Sequence, residues 1–409
     1  MKKTFFATYL DPKILFFPAA IFGFPIIALF VQDASISRQI TIPYRAFIFF
    51  LSIFLVLQKK GSNSRNEQSK MQTKESLFLS IFICIYSFRV VYDLTYNNLL
   101  YKEPSEYFLN WFGICLIPGI YCFFLDSKHS EKYLHLSWIL LYISSILALL
   151  LIFQEQGNAK FSEQGRLAGE SLNPISLGHQ SASMILVSIY NLLKKTSNDW
   201  KHRKYKLNIL SLIIGVLLLF SAASKGPVFA TLGAILCYLI SLKKRKFNSL
   251  KIVFTIIAFC IPIILLASSM NFGFLERLLS FLDGADFDDT NFIQRPELYK
   301  KTIKLIANNT VLGYALEIPD YGYPHNLILE AFLTTGVLGG SLFVMLHILA
   351  GIKAIMIIMD ENNSWGWLGL IYIQYAIGSM FSGSLYGSNI FWYLLFAILG
   401  MKKNDYKLI

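Results

Sequence analysis

Long apolar blocks, recurring from one end of the chain to the other, constrain this sequence more than any motif in it. Ile14 to Val31, Tyr44 to Leu57, Ser76 to Tyr92, His135 to Phe153 and Ile252 to Ser268 each carry at most one charge. Their lengths approach the roughly 20 residues that take a helix across a hydrocarbon core. Because lipid offers backbone groups no hydrogen bonds, such a block must satisfy its own, and a helix does so. A helix on a soluble globule would show a polar face, and these show none. Composition agrees. The chain is 55% hydrophobic and 15% charged, against roughly 45–50% apolar and about 25% charged in soluble domains.

The pattern predicts an all-α, polytopic transmembrane helical bundle of about 12 spans. They lie near 14–31, 42–57, 76–92, 108–125, 135–153, 174–193, 207–223, 227–242, 252–270, 327–351, 365–381 and 389–401. The basic start and long apolar stretch at the N-terminus read as a first retained span rather than a cleaved signal peptide. A formal charge of +12 raises nucleic acid as a partner, but the placement of the basic residues argues against it. About 25 of the 37 Lys and Arg fall at Lys2, Lys3, Lys13 and Lys353, in alternate connections (59–75, 126–134, 194–206, 243–251) and in the tail, the positive-inside asymmetry of a membrane protein. All five cysteines lie inside predicted spans, and their spacing suggests neither disulfides nor a metal.

Three regions follow: spans one to nine over 1–270, a large periplasmic loop over 271–325, and the last three spans with a cytoplasmic tail over 326–409. The loop has amphipathic stretches of its own. In PELYKKTIKLIANN, Leu298, Thr302, Leu305 and Ile306 recur at helical spacing with lysines between, and Pro296 suits a first turn. The expectation is a helix lying near the membrane surface. GFLERLLSFL (273–282) reads the same way. The run Asp283, Asp286, Asp288, Asp289 lacks the spacing of a calcium loop. Trp365 and Trp367, opening a span, read as an interfacial belt.

Several cations break the charge rule by falling on the exported side, among them Arg89, Arg166, Lys225 and Arg295. An anionic substrate such as a phosphate or diphosphate would justify them. Arg89, within a span, must face the bundle or reach the interface, to contact substrate or to pair with an acidic group. Segments GRLAGESLNPISLGH (165–179), SAASKGP (221–227), QRPELYKK (294–301) and DYGYPHNLILEAFLTTGVLGG (320–340) all fall on that one side. Together Arg166 and Gly169, Ser224 and Lys225, Arg295 and Tyr299, Gly313, His325 and Asn326, and Gly336 with Gly339 resemble the O-antigen ligase and O-antigen polymerase superfamily. The resemblance covers the C-terminal part of the chain, from about Arg166 onward. Lys225 stands where an Arg is more usual, and Ala315 replaces a second Gly.

The resemblance implies a GT-C-like membrane glycosyltransferase that uses undecaprenyl-diphosphate-linked oligosaccharide, needs no cofactor or metal, and works at the periplasmic face of a bacterial inner membrane. It also implies membrane lipids, and a chain-length regulator, as partners. His325 is the expected general base, since a neutral imidazole takes a hydroxyl proton near pH 7. Arg295 and Arg166 are the expected diphosphate clamps. Lys225, Arg89, Glu330, Tyr299, Tyr323 and Asn326 are the expected substrate contacts. A polymerase is the leading reading and a ligase acting on lipid A core its alternative. A flippase for the same lipid-linked units is the rival of another class.

Overall fold

A computed structural model of the chain describes residues 9–29, 34–60, 74–96, 101–155, 172–194, 201–222, 224–243 and 290–401. In chain order the helices are α1 (Pro12–Phe22), α2 (Phe24–Leu29), α3 (Ala34–Lys60), α4 (Lys74–Tyr96), α5 (Pro104–Phe108), a π segment (Leu109–Leu116), α6 (Ile117–Phe123), α7 (Ser130–Glu155), α8 (Pro174–Leu193), α9 (Lys201–Ser221), α10 (Lys225–Lys243), α11 (Thr290–Asn308), α12 (Leu327–Met359), α13 (Gly366–Gly378) and α14 (Asn389–Leu399). The protein is all-α and, among the described residues, six helical stretches are long and apolar enough to cross a membrane. The expected span 252–270, the stretch 273–282 and the acidic run 283–289 lie outside the described residues.

Local chemistry explains where helices start and break. Asn173 accepts from Ser176 N at 2.8 Å and Pro174 supplies the first turn, so α8 begins where the sequence predicted. The expected single span 14–31 is instead broken at Gly23, where Pro25 lacks a donor for the next turn and Tyr44 Oη donates to Ala19 O at 2.5 Å. In the span expected at 108–125, Pro118 leaves the carbonyl of Ile114 without its helical donor, and the Tyr393 hydroxyl supplies one.

The bundle turns apolar side chains outward as well as inward, as a lipid-embedded fold does. Phe229, Leu232, Leu236 and Ile240 make one exposed stripe on α10. Inside, helices are joined by small and polar residues: Ser183 Oγ donates to Gln374 Oε1 at 3.0 Å, and Gln180 donates to Ser144. α13 is enclosed by α8, α10, α12 and α14. That enclosure buries Trp367 completely and Trp365 to 2% exposure, so these are core residues rather than the expected interfacial belt. At one end of the bundle Lys353 Nζ meets Leu399 O (3.0 Å) and Glu75 Oε1 (3.3 Å), and Ser130 Oγ donates to Ser364 O. These are ends the charge pattern assigned to a common side.

At the opposite end α12 is broken. Gly336 adopts φ 67° inside an otherwise continuous helix. The segment 309–316 fills the break: Val337 N donates to Thr310 O (2.8 Å) and Tyr314 N donates to Leu333 O (2.5 Å). Gly313, at φ 76°, and Gly336 lie backbone against backbone, so that a Cβ on either would strike the other strand. Both positions require a residue free of side chain. The N-terminal part of α12, from Leu327 to Thr335, is thus held as a separate short helix.

Candidate functional site

The sequence from Gly313 to Asn326 folds back over that short helix. Arg89 secures it with the whole of its guanidinium. Nε donates to Thr334 O (2.6 Å), Nη2 donates to Leu312 O (2.6 Å), and Nη1 pairs with Asp93 (3.1 Å). Asp93, fully buried, accepts from Leu316 N at 2.7 Å through its other oxygen. Beyond this clasp, a tight turn brings Gly322 N to Ile318 O. Tyr107 Oη and Tyr101 N both donate to Glu317, at 2.5 and 3.1 Å, and tie the turn to α5.

α11 then closes over the turn. Leu298 on its apolar face packs with Ile318 and Leu333, and Tyr299, Leu305, Ile306, Tyr314 and Tyr321 gather around them. Lys301 Nζ bonds Pro319 O (2.7 Å) and Asp320 (2.9 Å). The helix begins at Thr290, well ahead of Pro296, which was expected to open it. Pro296 lies inside the helix, past its first turn, where its nitrogen has no proton to give to the preceding turn and its ring favours a kink. Arg295 therefore sits inside the helix, about one turn before Leu298.

This arrangement brings Arg295 and His325 together. Burial, and then the Arg295 guanidinium, hold the His325 pKa below its ordinary value, because both penalise an imidazolium. The ring packs on Tyr323, with centroids 4.2 Å apart. Its backbone lies at φ 55°, a left-handed conformation whose cost is on the order of 1–3 kcal/mol. Buried Pro324 precedes it and the helix cap Asn326 follows, so its neighbours impose the geometry. Among the described residues, no hydrogen bond ties down the His325 ring, the Arg295 guanidinium or the Tyr323 hydroxyl.

Other expected site residues are occupied. Asn326 caps α12 by accepting from Ile328 N (3.0 Å) and Leu329 N (3.1 Å), and its amide donates to Met380 O (3.1 Å). Tyr299 packs in the small core under α11. Glu330 is wholly buried and accepts from Leu385 N at 3.0 Å. Lys225 starts α10, in a turn whose Gly226 lies against Phe381 and whose Pro227 lies against Gly178. Arg166 lies outside the described residues.

Sequence reading missed the connection 379–388, which joins these parts. Ser379 O accepts from Leu327 N (3.1 Å), Phe381 stacks on Phe229 of α10 at 5.8 Å, and Tyr386 lies edge-on to Tyr323 at 6.3 Å. Its signal was the small-residue run Ser382, Gly383, Ser384, Gly387, Ser388 between two short apolar helices. The His325 segment and the Lys225 turn therefore share one end of the bundle, with this connection between them.

Residues 210–344 match a family model described as O-antigen ligase. The match covers about a third of the chain and supports its resemblance to the O-antigen ligase and polymerase superfamily. The matched segment runs from α9 to the middle of α12 and contains Lys225, Arg295 and His325, while Arg166 and the 379–388 connection fall outside it. No curated protein gives a significant match. Its apolar helices make the protein a multi-pass membrane protein, and the segment that resembles O-antigen ligases includes two of those helices in whole or part.

Proposed function

We propose that the protein is an O-antigen polymerase, joining undecaprenyl-diphosphate-linked oligosaccharide repeat units at the periplasmic face of a bacterial inner membrane. The observation that carries this reading is the pairing of a depressed, half-buried His325 with Arg295, neither held by a hydrogen bond to a described residue. The neutral imidazole accepts the proton of an acceptor sugar hydroxyl as its oxygen bonds to the anomeric carbon of the donor glycan. The bond from that carbon to the lipid diphosphate breaks, and undecaprenyl diphosphate leaves with the electron pair. Arg295 offers a planar, permanently charged fork to the growing negative charge, the role in which such groups accelerate transfer. Arg166 and Lys225 are assigned to the same anion, and Tyr323 to the sugar beside the imidazole.

Purified protein given lipid-linked repeat units alone decides the assignment. A ladder of lengthening glycans is the expected product. A product formed only when lipid A core is added identifies a ligase instead. Replacing His325 by Ala in cells removes chain extension while delivery of units to the outer face continues, and loss of delivery points to a flippase.

A further inference from the structure

Glu330 is a buried acid that the transfer step does not use. It lies in the first turn of α12, has no exposed surface, and is held by Leu385 N through Oε1 at 3.0 Å; no described residue bonds its Oε2. Tyr86, Tyr323 and Tyr386 lie within electrostatic range of it. What it holds matters. Leu385 belongs to the connection 379–388, whose next residue, Tyr386, rests on Tyr323, which rests on His325. The same stretch is pinned further on by Trp392 Nε1 to Leu385 O (2.7 Å) and by Cys115 Sγ to Tyr386 O (3.2 Å). Burying a carboxyl costs free energy unless its hydrogen bonds repay it, and leucine would fill the space more cheaply. Retaining the acid here therefore points to the one bond it makes across the site.

We infer that Glu330 is a positioning residue whose carboxyl tethers the 379–388 connection to the start of α12, so that Tyr386 and Tyr323 fix the His325 ring against the acceptor hydroxyl. The inference rests on the proposed role of His325. Glu330 acts as an acceptor oxygen at a set reach, not as a charge, and this separates two substitutions. Glu330→Gln keeps the oxygen and the reach. Glu330→Asp keeps the charge and withdraws the oxygen by a methylene.

The test uses the full chain in detergent or nanodiscs. Glu330→Gln keeps kcat near that of the parent, whereas Glu330→Asp and Glu330→Ala lower kcat, the Ala variant by about 10²-fold, with KM little changed, as misplacement of a reacting group by about an ångström does. A second readout needs no turnover. Cys115 is fully buried and sits under the Tyr386 carbonyl. Its alkylation by N-ethylmaleimide, followed by mass spectrometry of its peptide, speeds up in the Asp and Ala variants and stays slow with Gln. Equal loss of activity in the Gln and Ala variants, an Asp variant better than the Gln variant, or Cys115 equally protected in all of them would overturn the tether. Because labelling does not depend on His325, a failed transfer assignment would leave the labelling order intact.

Discussion

At the scale of single residues, the proposed transfer depends most on the imidazole of His325. Its replacement by Ala lowers kcat by roughly 10²–10⁴, the range for a lost general base. Its titration gives a sharper expectation. Burial and Arg295 both depress the pKa below 6.5, so the ring stays neutral through pH 7 and the rate falls only at more acid pH. Replacing Arg295 by Gln removes one of those causes, and the acid limb of kcat/KM moves to higher pH even though the rate itself drops. A pH profile of both proteins checks this. His325 and Arg295 were expected together from the family resemblance, and the structure sets them near one another with Tyr323 against the imidazole. Asn326 and Tyr299 were read as substrate contacts because a cap and a packing ring look the same as a ligand until their neighbours are known.

At the scale of elements, the break in α12 and the clasp beneath it carry the site. Gly336→Ala forces a side chain into a left-handed backbone against the Val311 carbonyl, and the expected cost is at least about 1–3 kcal/mol, read as a lower melting temperature in detergent. Arg89→Leu strands the buried Asp93, a loss of about 3–5 kcal/mol for a broken buried pair. Adding Asp93→Asn recovers part of it, and the pair of melting curves tests the coupling. Neither feature was readable beforehand. Gly336, one of four glycines in the apolar run 327–359, carries no sign of a break, since the residues that fill it, 309–316, lie outside that run. Arg89 announced a charge that would contact substrate or pair with an acidic group, but Asp93 and the carbonyls of Leu312 and Thr334 could not be named without the fold. By contrast, the start of α8 at Pro174 agrees with the expected span 174–193, and the Asn173 cap and the proline after it are local features.

At the scale of the whole molecule, the two ends of the bundle differ in kind. One gathers Lys353, Glu75 and Lys194, and the other gathers His325, Arg295 and the Lys225 turn. Single cysteines at the exposed positions Asp320 and Gly387 are expected to react with an impermeant maleimide from the periplasmic side, and one at Asn362 from the cytoplasmic side. Opposite labelling of Asp320 would place the imidazole where no lipid-linked glycan is presented. The helical, membrane-spanning character was plain from the apolar blocks, because the bilayer imposes it on any such chain. How the helices close around the site was not, because lipid exposure and helix contact both select apolar side chains. The break at Gly336 has one more consequence. The lower part of α12 can drift in composition, lengthen or tilt to suit a thicker or thinner bilayer, while the short upper piece keeps its grip on the 309–316 segment. Anchorage and chemistry can then evolve at different speeds within what looks like one helix.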